Sequence, residues 1–274
     1  MFLGLVQGIA EFLPISSSGH LAIFQNLFAM NYVEEEHLFF DVLLHLGTLV
    51  SICVVYRAEL KSMLSEGAEY LKARADSDVG EPVALKPQAR VLLFVLIGTL
   101  PMVLVLFFMS SIRNLFYQIG FIGFALLITG GLLFVSDKHI TRGSKTEKTM
   151  TISDALVIGF VQAVAVIPGL SRSGATIVVG LSRGLAGSYA VRFSLLLSIP
   201  AVLGATLVEL YLAIREGIDF SLLLTYMAGF IVAVVVGYFA IQIIRRLITK
   251  GGFGKFAYYC WGAGAVAIII ALLN

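Results

Sequence analysis

Polar and apolar residues are not mixed along this chain but follow one another in long blocks. Six blocks, at about 38–56, 91–109, 118–136, 189–212, 222–244 and 256–273, are almost wholly apolar and are bounded by charge or by Gly and Pro. At a rise of about 1.5 Å per residue, roughly 20 residues carry a helix across ~30 Å of hydrocarbon, so each block predicts a transmembrane helix. Two further apolar stretches, 1–30 and 151–182, are interrupted near their middles by Pro and small hydroxyl residues, LPISSSGH in one and IPGLSRSG in the other. Neither half can span by itself, which predicts a pair of re-entrant helix-loop-helix hairpins. The expected fold is an all-α polytopic membrane protein with six transmembrane helices and two re-entrant hairpins.

Composition agrees with the pattern. Of 274 residues, 59% are hydrophobic and 13% charged, against about a quarter charged in a soluble globular chain. That excludes a water-facing globular surface, disorder and a disulfide scaffold. A net charge of +2, from 19 basic and 17 acidic residues, does not suggest nucleic acid as a partner. Cys53 and Cys260 lie far apart inside apolar runs and are expected to be buried thiols. The opening MFLGLVQGIAEFLP has no Lys or Arg, so it is not expected to be a cleaved leader.

The positions of the charges matter more than their sum. Sixteen of the nineteen Lys and Arg fall in 57–90, 137–150, 183–192 and 245–255, Lys138, Arg142 and Lys250 among them. The opposite connections hold only Arg113 and Arg215, with the acidic cluster Glu34, Glu35 and Glu36. The basic segments are therefore expected on the cytoplasmic side, with 57–90 a solvated cytoplasmic loop containing some amphipathic helix. The first hairpin then enters and leaves outside, the second inside, and each is followed by three spans. Because three is odd, a second copy of the unit has to be inverted.

An internal repeat fits that deduction. Shifting by 155 residues lays VQGIAEFLPISSSGHLAI (from Val6) on VQAVAVIPGLSRSGATIV (from Val161), with Val6, Gln7, Ala10, Ser16, Ser18 and Gly19 on identical residues. Downstream, FDVLLHL from Phe40 aligns with FSLLLSI from Phe193 after a two-residue slip. The expected organisation is a first repeat, 1–136, and an inverted second repeat, 151–274, within one membrane domain. Inverted repeats with broken helices place a ligand where the breaks meet. The free N–H groups and positive ends of half-helices favour an anion there, phosphate above all.

Few residues carry possible chemistry. Gln7 and Glu11, four apart, share a helix face, and an ionised carboxylate in hydrocarbon costs at least ~3 kcal/mol, which marks Glu11 as functional. It is a candidate metal ligand or general base, with Gln7 supplying a neutral oxygen. Ser16, Ser17 and Ser18 lead into His20. Ser17 and His20 are three apart, so the imidazole can take the hydroxyl proton, or His20 can itself serve as nucleophile or acid. In the second copy Val166 and Ala175 replace Glu11 and His20, while Arg172 stands in place of Ser17. The Arg172 fork suits bidentate phosphate contact, and Ser171, Ser173 and Thr176 add hydroxyl donors. Asp41 and His45, at the outer end of the first span, are candidate supporting residues, and Glu209 is expected to be structural.

Gln7-x-x-x-Glu11 running into FLPISSSGH, with PGLSRSGAT from Pro168 to Thr176 and FDVLLHLGT from Phe40, resembles the undecaprenyl-pyrophosphate phosphatase family associated with bacitracin resistance. The resemblance covers nearly the whole chain. It implies removal of the terminal phosphate from a C55 lipid diphosphate, so that the monophosphate carrier returns to peptidoglycan synthesis in the bacterial cell membrane. It also implies a divalent cation, Mg or Ca, at Gln7 and Glu11, catalytic roles for Ser17 and His20, and a diphosphate grip for Arg172. Ser17, His20 and an activated water remain alternative nucleophiles, and oligomeric state stays open. The site is expected to open towards the periplasm or exterior. A rival reading is a polyprenyl-phosphate transporter or flippase, because that architecture is shared with transporters. The phosphatidic-acid-phosphatase type is excluded: the His and Asp it requires after the Ser-Arg pair fall on Val178 and Ser182.

Overall fold

The structure, a computed structural model, describes residues 1–27, 34–77, 83–139, 143–216, 222–250 and 252–273. Arg142 and the side chains of Glu34, Glu35, Glu36, Lys138 and Lys250 lie outside the described residues. The described chain is all-helical. In order come α1 (Phe2–Ala10), α2 (Ser17–Leu27), α3 (Glu34–Val55), α4 (Arg57–Asp76), α5 (Pro87–Thr99), a 3-10 stretch (Leu100–Phe108), α6 (Met109–Leu115), α7 (Ile119–His139), α8 (Ile152–Val164), α9 (Arg172–Ser182), α10 (Gly187–Glu216), α11 (Leu223–Lys250), a 3-10 turn (Phe253–Lys255) and α12 (Phe256–Leu273).

Five segments are long and apolar enough to cross a membrane: Pro87–Leu115, Ile119–Ser136, Gly187–Leu212, Leu223–Thr249 and Phe253–Leu273. A sixth is counted when Phe39–Val55 is joined to α4, from which it is bent by 77°. Large apolar side chains stand outward on these helices, Phe107 at 77% and Leu224 at 85% exposure. So much outward apolar surface is favourable in hydrocarbon and costly in water. The chain is an integral membrane protein.

Two spans carry local departures that the hydropathy pattern does not encode. Pro101 has no N–H for the Ile97 carbonyl, and the helix tightens there into a nine-residue 3-10 stretch before resuming as α6. Pro200 lies inside the 30-residue α10. The described residues of 57–90 include a long helix, Arg57–Asp76, where some helix was expected. This helix, α4, packs on α5, where Glu66 Oε2 accepts the free N–H groups of Gln88 (2.8 Å) and Ala89 (3.3 Å).

The two broken stretches form short helix pairs, α1 with α2 and α8 with α9, joined through Pro14 and through Pro168 and Gly169. Their second helices start alike. Ser171 Oγ accepts from the Gly174 N–H at 3.1 Å, and Ser16 Oγ accepts from the Gly19 N–H at 3.3 Å. The joints then cross. A Cβ on Gly19 would lie 2.9 Å from Gly169 Cα, and one on Gly174 would lie 3.1 Å from Pro14 Cβ. These contacts exchange when 155 is added to or taken from each number. Two more pairs of contacts are reciprocal. Gly4 meets the Gly229 backbone as Gly159 meets that of Gly98, and Thr129 Oγ1 donates to the Gly169 carbonyl (2.9 Å) as Cys260 Sγ donates to that of Pro14 (3.6 Å).

At the far end of the second pair, Asp154 joins several elements. Thr151 and Asp154 cap α8 reciprocally, and the Asp154 carboxylate also accepts from Lys145 Nζ (2.9 Å) and Arg183 Nε (2.8 Å). Burial of the carboxyl opposes ionisation. The hydrogen bonds from Lys145, Thr151 and Arg183 outweigh it and bring the pKa down to about 2.

Candidate active site

The crossing of the two joints brings the starts of α2 and α9 to one cavity of about 190 Å³. Glu11, Ser16, Ser17 and Ser18 line it from the first helix pair, and Ser171, Arg172 and Ser173 from the second. Glu11 follows the last turn of α1, its N–H still bonded to the Gln7 carbonyl. The carboxylate stands between Gln7 on α1 and Ser17 at the start of α2.

Glu11 is the hub. Its Oε2 accepts from Ser17 Oγ at 2.6 Å and from Gln7 Nε2 at 3.1 Å, while Oε1 forms an ion pair with Arg172 Nη2. The carboxylate is almost fully buried, and Arg172 is partly open to the cavity. A buried carboxylate is tolerated only with such pairing. Arg172 thus neutralises Glu11 while keeping N–H groups available on its cavity side. Gln7 is fully buried, and its Oε1 has no hydrogen-bond partner among the described residues.

His20 is oriented differently from the sequence expectation. Its Nδ1 lies 2.8 Å from the Ser16 carbonyl and its Nε2 2.8 Å from the Tyr259 hydroxyl, with the two rings stacked at 5.6 Å. A carbonyl only accepts, so Nδ1 carries the proton and, in the neutral ring, Nε2 accepts from Tyr259. The proton-sharing pair expected of Ser17 and His20 is not formed: Ser17 Oγ is bonded to Glu11, and both ring nitrogens of His20 are taken by Ser16 and Tyr259. His20 is not among the cavity-lining residues. It holds the Ser16 carbonyl, and so the turn that presents Ser17.

Thr176 also stands behind the cavity. Its hydroxyl donates to the Arg172 carbonyl at 2.8 Å and meets Ser194 Oγ at 2.5 Å, tying α9 to α10. Ser173 lines the cavity and donates to the Leu13 carbonyl at 3.3 Å, bridging the two joints. Asp41 and His45 do reach the wall. Asp41 accepts from Gln25 Nε2 at 3.1 and 3.2 Å, and His45 Nδ1 donates to the Asp41 carbonyl at 2.8 Å. Sequence reasoning missed Gln25 and took Glu209 as structural, yet both line the cavity. The available signal was their polarity inside apolar stretches. Met102, Phe116 and Val202 supply apolar wall beside them, as a ligand with a polar head and a hydrocarbon tail requires.

The profile of the family described as Bacitracin resistance protein BacA matches residues 1–266. The chain belongs to the BacA family. An undecaprenyl-diphosphatase of Halothermothrix orenii is 38% identical over 99% of this chain and 96% of its own length. Proteins of the same name from Alkaliphilus metalliredigens and Carboxydothermus hydrogenoformans are 37% and 36% identical, covering 100% and 98% of this chain and 98% and 95% of their own lengths. The resemblance read from the Gln7-x-x-x-Glu11, SSSGH and PGLSRSGAT motifs is thus to the right family, and those motifs are the ones that converge on the cavity.

Proposed function

We propose that this chain is an integral membrane phosphatase that hydrolyses undecaprenyl diphosphate to undecaprenyl phosphate and phosphate, recycling the carrier for peptidoglycan synthesis and thereby conferring bacitracin resistance. The observation that carries this reading is the Ser17–Glu11–Arg172 constellation between two helix starts, in a cavity with an apolar wall.

The chemistry follows from those contacts. The diphosphate binds against Arg172 and the N–H groups at the starts of α2 and α9, which offset its charge. Ser17 Oγ attacks the terminal phosphorus, its proton passes to Glu11 Oε2, and the bond to the bridging oxygen breaks with release of the prenyl monophosphate. The departing monophosphate takes that proton from Glu11; water then attacks the phosphoserine, its proton passing to the regenerated Glu11 carboxylate and on to Ser17 Oγ as the Oγ–P bond breaks, and free phosphate leaves. Ser16 and Ser18 on one side and Ser171 and Ser173 on the other supply hydroxyls around the phosphoryl oxygens. His20 acts as a positioning residue through the Ser16 carbonyl, with Asp41 and His45 supporting the cavity wall.

A divalent cation suits the donor set. Mg takes oxygen ligands, commonly one or two carboxylates with substrate phosphates, and the buried, unpartnered Gln7 Oε1 beside the Glu11 carboxylate offers such oxygens. When bound there by Gln7 and Glu11, Mg or Ca supplies further neutralisation of the diphosphate. The reading of the chain as two inverted copies, with the short helix pairs re-entrant, is supported by the reciprocal contacts at the joints. The distribution of Lys and Arg supports a multi-pass protein of the bacterial cell membrane with this cavity open to the periplasm or exterior.

The test is phosphate release by the purified, detergent-solubilised protein given a long-chain prenyl diphosphate and Mg. Release that stops with EDTA and returns with added Mg is expected. An absence of release by folded protein that still binds the lipid overturns the reading.

A further inference from the structure

A second, larger cavity of about 500 Å³ lies at the other end of the bundle, where the ends of α3 and α11 meet the start of α10 and the 143–150 segment. Tyr56 follows Asp41 by fifteen residues and Arg192 precedes Ala205 by thirteen, which separates this cavity from the first by about 20 Å of helix. Nothing in the proposed reaction uses it.

Its lining is cationic. Arg192, Arg245 and Arg246 converge there against Glu59 and Glu147. Arg192 is the most enclosed of the three. Its Nη2 donates to Gln88 Oε1 at 2.6 Å, its Nη1 stands 3.9 Å from Glu147, and its Nε is buried with no hydrogen-bond partner among the described residues. The Arg245 guanidinium lies 5.7 Å from the centre of the Tyr56 ring, and among the described residues neither Arg245 nor Arg246 forms an ion pair with a carboxylate. Three guanidinium forks around one void, with a buried N–H unsatisfied, call for an oxyanion. The lining retains one positive charge in excess, which matches a phosphate diester. The Thr146, Ser188 and Thr249 side chains add hydroxyl groups to the lining.

We infer that this cavity is a second phosphate-binding site, taking the phosphate of an anionic lipid headgroup or free phosphate from the side of the membrane that carries the basic segments. Arg192 forms its floor, and Arg245 and Arg246 close over the phosphate oxygens. This site does not depend on the phosphatase reading.

Two arms identify the ligand's source. In one, equilibrium binding of radiolabelled inorganic phosphate is measured for the full chain in a neutral detergent. In the other, native mass spectrometry counts the lipid retained from nanodiscs of phosphatidylglycerol or of phosphatidylcholine. The comparison is with the double variant R245Q/R246Q, whose substitutions are at exposed positions and whose fold is checked by its melting temperature. At least a tenfold weakening of phosphate binding, or loss of the phosphatidylglycerol retained by the wild type, is expected, and the arm that responds names the source. Phosphate affinity and lipid retention that are both unchanged in the double variant overturn the site. So does a wild type that retains phosphatidylglycerol no better than phosphatidylcholine and whose phosphate binding is unaffected by the substitutions.

Discussion

At the scale of single residues, Glu11 receives three groups on one carboxylate: an amide, a hydroxyl and a guanidinium. Ser17→Ala removes the hydroxyl and Glu11→Gln the base, and each is expected to lower turnover by about 10³-fold or more with the melting temperature largely kept for Ser17→Ala. Phosphate release under saturating substrate checks both. His20→Ala acts one step away, by loosening the Ser16 carbonyl, and should cost about 10²-fold. Tyr259→Phe, which deprives Nε2 of its donor, should cost less than tenfold and shift the pH profile of turnover. An equal loss for Ser17→Ala and Tyr259→Phe would remove the distinction between reacting and positioning groups. These roles were only partly legible beforehand. A spacing of three residues brings Ser17 and His20 to one side of a helix, but which partner each finds depends on Glu11 and Tyr259, and only the folded chain brings those to α2.

At the scale of elements, the short helix pairs depend on a few backbone conditions. Ser16 has φ of 69°, the positive value reached by no other non-glycine among the described residues, and this conformation costs about 1–3 kcal/mol. Ser16→Gly relieves it while losing a side-chain cap, so stability should stay within about 1 kcal/mol. Ser16→Val keeps neither advantage and should lose at least about 2 kcal/mol, read as melting temperature in detergent. The sequence repeat pairs Ser16 with Ser171, yet Ser171 has an ordinary φ of −79°; equal letters at equal positions do not carry equal backbones. On the basic side, Asp154 fixes α8, α9 and the segment before them. Its pKa is lowered from 3.8 to about 2, so its contribution is complete above pH 4 and is lost as pH falls towards 2. Asp154→Asn should lower stability by roughly 2 kcal/mol at neutral pH and flatten the loss between pH 4 and 2, as followed by thermal melts across that range.

At the scale of the whole molecule, sidedness is the main expectation. With Cys53 replaced by Ser, a cysteine at Ser65 in α4 should react with an impermeant maleimide only after permeabilisation, and one at Ser111 in α6 should react in intact cells; both positions are exposed. The reverse pattern would place the cavity around Glu11 on the cytoplasmic face. The number and approximate ends of the apolar helices, the two interruptions and the family were fixed by the chain itself, because hydrocarbon demands internal backbone bonding and about twenty apolar residues per span. Candidate site residues were legible too, because a charge within an apolar stretch is costly enough to be noticed one residue at a time, but Gln25 and Glu209 were not read as lining the cavity. Tertiary structure alone decided which of the site residues meet. Glu11 and Arg172 stand 161 positions apart, and their pairing depends on Gly19 passing Gly169 and Gly174 passing Pro14. It also decided that His20 faces Tyr259, that Thr176 serves α10, that Gln25 and Glu209 reach the cavity, and that three arginines from two helices share a second void. Hydropathy is a property of each residue and survives in a linear pattern. The direction of a side chain at a helix break depends on what is packed across from it, and no linear pattern contains that.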